Sequence, residues 1–365
     1  MKRDLFVFAG QSNMMGASVL FPKKEVLLSR SFEYKHNPRR LGAPTGNFVS
    51  TVYPVGEFSY SDLEKAYAPA MTSENGASLL ADYVQSTYFC PAMANFQSAE
   101  EKSVFPFPAF SEATAQNGAT LAPLLAEQWE QAGYACAYTH IAKGGVTIAY
   151  YFTDEMAEEY ARRIEKYNQE NGTRYSALFT ESQLMPGAAD YFFEKCTDFL
   201  ADSKTRFPDD NLDNKCFFWL QGEGDVHRSA VEYEIKMDIL WDRLKKLGFT
   251  HFFCIRVDYF GDDRISEIMK AQENFTARHQ DAYMLTRAAS YFTYPGQNEQ
   301  EWFVTPPDEE YRLCRDSFFG YSNQHINEKG FSVIAAHGVK NLYRVLIEKK
   351  EPILEEENIR ALAKI

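Results

Sequence analysis

The sequence predicts an α/β fold built on a central parallel sheet of about five strands. Three observations predict it. Short apolar runs bounded by turn residues recur along the 365-residue chain, as expected of strands covered on both faces. Longer stretches with apolar residues at helical spacing separate them. The alternation strand, helix, strand then repeats, which calls for right-handed crossovers and a parallel sheet.

Taken in order, Leu5–Ala9 is the first strand and opens the chain. Ala119–Ala132 follows as a helix, with Leu121, Leu124, Leu125 and Trp129 on one face. Ala135–Ala142 is the second strand, Lys215–Leu220 the third, His251–Val257 the fourth and Ala282–Thr286 a weaker fifth. Asp190–Phe207, Ala230–Leu247, Ile265–His279 and Glu328–Glu348 have the helical pattern. Residues 18–116 break the alternation: they hold many aromatics, Pro and Gly, with patchy helical signal near Gly76–Gln85. They are expected to form a loop-rich insertion near the site. Residues 288–323 are irregular as well. The expected organisation is a single domain over 1–348 and a charged tail over 349–365, read as a loosely attached helix.

Apolar residues make up 45% of the chain, enough for a packed core. The formal net charge is -13, from 51 acidic and 38 basic residues. That field repels phosphate backbones, so nucleic acid is not an expected partner. No apolar run approaches the roughly 18 residues of a membrane span, and Leu5–Ala9 is shorter than a signal-peptide core of roughly 7–15 residues. A cytoplasmic location without membrane partners is the expectation. The six cysteines, Cys90, Cys136, Cys196, Cys216, Cys254 and Cys314, form no CxxC pair. They read as free, mostly buried thiols in a reducing compartment. No spacing of His, Asp, Glu or Cys suggests a metal, and no cofactor is expected.

Four segments are candidates for chemistry. The first is Gly10-Gln11-Ser12-Asn13, just past the first strand. A serine there has its hydroxyl at the carboxyl edge of the sheet, beside outward-pointing backbone N–H groups. It can equally be no more than a helix cap. The second is Lys143-Gly144-Gly145-Val146 after the second strand, where two glycines admit a close approach of backbone to a ligand. The third is Gln221-Gly222-Glu223-Gly224-Asp225 after the third strand. It is not a dinucleotide loop, because no third glycine follows Gly222 and Gly224 at the required spacing. The fourth is Ser322-Asn323-Gln324-His325, which opens the last long helix. All four fall at one rim, where open α/β sheets place their sites.

In block order these segments resemble the SGNH hydrolases, and among them the sialate O-acetylesterase and acetylxylan esterase group of carbohydrate esterases. The resemblance implies a three-layer α/β/α, flavodoxin-like domain that removes acetyl groups from sugars. It implies Ser12 as nucleophile and His325 as general base. It also implies an oxyanion hole from the Ser12 N–H, an N–H of Gly144 or Gly145, and the Gln221 amide. Acyl transfer needs that set: an activated hydroxyl, a proton shuttle and fixed donors. Two positions depart from the family pattern. Ser322 stands where an aspartate usually precedes the histidine by three residues, and Val146 stands where threonine commonly follows the glycines. Serine cannot hold an imidazolium as a carboxylate does. Glu223 is the expected replacement, with Asp225, Asp316 or a backbone carbonyl as rivals.

Gln11, Asn13 and Tyr150 are the candidates for substrate contact, although Tyr150, Tyr151 and Phe152 can simply be packed aromatics. His140 reads as a core residue, His227 as a surface loop residue and His337 as packing or surface. The expected partner is a small acetylated carbohydrate. The competing functions are a general short-chain esterase, lipase or thioesterase, and a sugar-binding descendant without activity.

Overall fold

The computed structural model describes residues 1–15, 28–36, 46–49, 120–178, 188–258, 264–291, 326 and 328–363. All five expected strands are present. They are β1 (Arg3–Gly10), β4 (Ala135–Ala142), β5 (Lys215–Leu220), β6 (His251–Ile255) and β7 (Ala282–Thr286). Two more, β2 (Phe32–His36) and β3 (Gly46–Val49), come from the segment expected to hold loops. The sheet order is β3-β2-β4-β1-β5-β6-β7. Six strands run parallel, and β3 pairs antiparallel with β2 at the edge.

Strand periodicity divides the core between two faces. Leu5, Val7 and Ala9 of β1, Phe217 and Trp219 of β5, and Phe252 and Cys254 of β6 point to one side. There they meet the helices Asp154–Asn171, Ala188–Arg206, Ala230–Lys246 and Ile265–Arg278. Phe6, Phe8, Phe218, Leu220, Phe253 and Ile255 point the other way, toward helices Leu121–Gln131, Glu328–Tyr343 and Glu356–Ala363. The result is the expected three-layer α/β/α architecture. Every residue of β1 and β4 is buried, as a strand covered on both faces requires. Cys136, Cys196, Cys216 and Cys254 are buried free thiols; Cys90 and Cys314 lie outside the described residues.

Two elements differ from the sequence expectation. The helix Asp154–Asn171 was not expected. It starts at Thr153, whose hydroxyl accepts from Met156 N, and ends at Gly172 with φ 66°. The tail is docked rather than loose. Asn341 donates to Ile353 O at 3.0 Å and accepts from Ile353 N at 2.8 Å. Ile359 is buried in the second core face.

β1 occupies the centre of the sheet. The chain builds outward from it to β2 and β4, then crosses to β5, β6 and β7. The reversal leaves a crevice at the carboxyl ends of β1, β4 and β5, where ligands bind in such sheets. No helix among the described residues is long and apolar enough to cross a membrane.

Candidate active site

Ser12 begins a short helix, Ser12–Met15, directly after β1. Gly10 makes the turn possible. A Cβ there would lie 1.9 Å from Leu220 O, so only glycine lets β1 and β5 meet at this point. The Tyr151 hydroxyl sits at the same peptide, accepting from Gly10 N at 3.1 Å and donating to Gly10 O at 2.5 Å. The far end of the short helix is fixed too. Met14 O accepts from the Thr120 hydroxyl at 2.9 Å and from His140 Nε2 at 2.5 Å. That bond puts the His140 proton on Nε2. Burial lowers the His140 pKa to about 4, so the ring is neutral. His140 is a core residue, as expected, though its Nδ1 is buried without a partner among the described residues.

Asn13, the next residue, is fully engaged. Its Nδ2 donates to Glu223 Oε1 at 2.9 Å and to Asp258 Oδ1 at 3.3 Å. Its Oδ1 accepts from Ile326 N at 3.0 Å. Ile326 directly follows His325 in the chain. His325, Ser322 and Asp316 lie outside the described residues.

The loop after β5 folds inward. Gly222 permits this, because a Cβ there would meet Ile268 Cγ2 at 2.7 Å. Gln221 is fully buried. Its Nε2 faces Asp225 Oδ2 at 2.8 Å, Gln11 Oε1 at 3.2 Å and Val146 O at 3.2 Å, while its Oε1 accepts from the Tyr233 hydroxyl at 2.6 Å. The amide hydrogens are therefore directed into the protein, and the expectation of Gln221 as an oxyanion donor does not fit this geometry. Gln221 instead ties the β1, β4 and β5 loops together. Gln11, expected to touch substrate, is likewise turned inward: its Oε1 accepts from Gly224 N at 3.0 Å and from Gln221. Asn13 is committed to its clamp. Tyr150 is 5% exposed and packs beside Tyr151, so it offers no ring face to a sugar.

Gly144 and Gly145 form the turn after β4, as the motif suggests. Gly145 has φ 70° and nothing within 4 Å of a built Cβ, so this turn faces open space. Lys143 N donates to Gly10 O at 3.1 Å and holds the turn against the Ser12 loop. Beyond it, Asp225 accepts from Ile148 N at 2.7 Å and from Gln221, and burial raises its pKa. His227 is exposed. His337 is buried and contacts the Thr286 hydroxyl through Nδ1 at 2.8 Å.

Glu223 and Asp258 are both buried. Burial raises both carboxyls, and the Glu223 charge raises Asp258 further, so the pair holds on to a proton. Sequence reasoning missed Asp258. It lies three residues beyond β6, at the same carboxyl rim as the other segments, and that placement was the available signal. Among the described residues, no group of His, Cys, Asp or Glu is arranged to hold a metal ion.

No protein-family model matches this chain, and no curated protein matches it. Solved structures do align with it. The crystal structure of NanS aligns over 95% of this chain and 98% of its own, with a TM-score of 0.47 and 11% identity. A protein from Arabidopsis thaliana aligns over 95% and 99%, with a TM-score of 0.43 and 12% identity. XAC1771, a carbohydrate acetylesterase from Xanthomonas citri, aligns over 95% of this chain and 57% of its own, with a TM-score of 0.42 and 11% identity.

Proposed function

We propose that this chain is a serine esterase that removes O-acetyl groups from a carbohydrate through an acyl-enzyme. One observation supports it above the rest. The Asn13 clamp joins the residue after Ser12 to the residue after His325 by a single hydrogen bond of 3.0 Å. Two segments from opposite ends of the sequence, each with one group the reaction needs, thus meet at the switch point of the sheet.

In this reading the Ser12 hydroxyl attacks the ester carbonyl carbon while its proton passes to His325. The oxyanion is received by backbone N–H groups of Ser12 and of the Gly144–Gly145 turn. The carbon–oxygen bond to the sugar breaks, and His325 returns the proton to the departing sugar oxygen. Water then repeats the sequence on the acyl-enzyme and releases acetate. Glu223 is the carboxylate offered to His325. It is buried at the rim that bears Ser12 and is tied to Asn13, the residue whose Oδ1 holds Ile326 N. The acetyl-sugar substrate follows from the resemblance of the four motifs.

The test is active-site labelling with a fluorophosphonate, followed by kcat/KM across acetyl, propionyl and butyryl esters of one alcohol. Labelling at Ser12 and a rate that falls with chain length are expected. No labelling would leave a sugar-binding protein, and a rate that climbs with chain length would leave a lipase or thioesterase.

A further inference from the structure

Asp258 has no part in the chemistry described so far, yet it contacts the side chain of Asn13, the residue after Ser12. Its Oδ1 and the Glu223 Oε1 both accept from one nitrogen, Asn13 Nδ2, at 3.3 and 2.9 Å. Asp258 is 1% exposed and Glu223 5%. Two carboxylates converging on one amide, both shut off from water, cannot both be charged. One of them keeps a proton, and a carboxylic acid beside a carboxylate donates that proton to it.

The surrounding structure holds the pair in place. Val257 N, next to Asp258, donates to Gln272 Oε1 at 3.0 Å, and Gln272 Nε2 donates to Gln221 O at 2.9 Å. Asp258 is thereby held at the end of β6 by the same network that anchors the Gln221 loop. Glu223 receives hydrogen bonds that favour its charged form, including those from Asn13 and Asp258. Asp258 receives the Glu223 charge, which favours its neutral form.

We propose that Asp258 is a positioning residue: it shares a proton with Glu223, and the two together hold Asn13 and, through it, Ile326 N. The chain of contacts runs Asp258, Glu223, Asn13, Ile326. Asp258 touches no reacting atom. It keeps Glu223 an acceptor and keeps Ile326 beside the Ser12 turn. The catalytic part of this inference rests on the esterase reading; the clamp does not.

The experiment compares Asp258→Asn with Asp258→Ala in the full chain. Asparagine places an amide N–H where the acid proton lies and retains an oxygen for Asn13. Alanine removes both. Two quantities are read: kcat and KM on an aryl acetate, and hydrogen exchange of the Ile326 amide, with thermal unfolding to confirm the fold. Asp258→Ala is expected to lower kcat about 10²-fold with KM nearly unchanged, the effect of a misplaced catalytic group. It should also speed Ile326 exchange about tenfold, the factor for one lost hydrogen bond. Asp258→Asn should restore both. If Asp258→Ala does not fold, Asp258→Leu, of similar shape and without hydrogen-bonding atoms, takes its place. Unchanged Ile326 exchange in the apolar variant, or Asp258→Asn as impaired as that variant, overturns the proposal. If wild-type protein shows neither hydrolysis nor Ser12 labelling, the esterase reading fails, and the exchange measurement still decides the clamp.

Discussion

At the residue scale, the glycines and one glutamine decide how the site is built. Gly10 and Gly145 both flank the proposed oxyanion region, but for different reasons. Gly10 is required by contact, since its Cβ would strike Leu220 O at 1.9 Å. Gly145 is required only by its φ of 70°, with open space around it. Gly10→Ala is therefore expected to cost about 3 kcal/mol, through displacement of β5, and to abolish activity by moving Ser12. Gly145→Ala is expected to cost about 1 kcal/mol. Urea unfolding of the two variants checks the order, and equal costs would contradict it. Gln221 makes a second test. An oxyanion donor would lower kcat on truncation and leave stability alone. Here Gln221→Ala strips hydrogen bonds from Asp225, Gln11, Val146 and Tyr233. It should cost about 2–3 kcal/mol as buried polar groups lose partners, together with any loss of kcat. Lost activity at full stability would return Gln221 to the oxyanion hole. The sequence marked this residue as important without revealing its direction. That direction depends on Tyr233 and Gln11, which are brought beside it only by the fold.

At the element scale, legibility followed apolar density. β1, β4, β5 and β6 are near-continuous apolar runs because helices cover both of their faces, and such runs stand out in a sequence. The helix Asp154–Asn171 did not stand out. It buries only Met156, Tyr160 and Ile164, a stripe one residue wide at four-residue spacing, and the remainder is largely charged. β2 was hidden for a different reason. Its run Phe32-Glu33-Tyr34 reads as mixed, yet Glu33 is as buried as Tyr34. Pairing with β4 pulls it into the sheet. Glu130 then fixes the approach to β2, accepting from the backbone N–H groups of Ser29, Arg30 and Ser31. The tail was misjudged because its charges were conspicuous and its few anchors were not. Ile359 is 2% exposed. Ile359→Ala is expected to destabilise the protein by about 2–4 kcal/mol. A change below about 0.5 kcal/mol, as surface positions give, would show that the tail is not docked in solution.

At the scale of the whole molecule, the strand order explains why chemistry gathers where it does. Segments after β1, β4, β5 and β6 reach one rim because these strands run parallel, and the winding changes direction at β1 to open a crevice there. The motif blocks made that rim legible; the inward turn of its polar side chains was not, because burial is a property of the assembled layers. The same burial shapes the response to pH. His140, His251 and His337 are buried enough that each pKa falls to about 4. Between about pH 6.5 and 4 the unfolded chain binds protons at these histidines and the folded chain does not, so each one lowers stability as pH falls through that window. Asp4, Glu223, Asp225 and Asp258 act in the opposite sense. Burial raises them, the folded state holds their protons longer, and their contribution is lost as pH rises through the folded pKa. The two sets overlap, so a bare stability curve does not separate them. A difference curve does. His337 sits in the helix Glu328–Tyr343, away from the Ser12 turn, and contacts Thr286 through Nδ1. Asparagine can replace that contact without titrating. As pH drops below 6.5, wild-type protein is expected to lose stability relative to His337→Asn by about 1.4 kcal/mol per pH unit, levelling off near the folded pKa of about 4. Chemical unfolding of both proteins at half-unit pH steps measures it. Parallel curves would mean that His337 titrates alike in the folded and unfolded chains, and that burial does not hold it neutral.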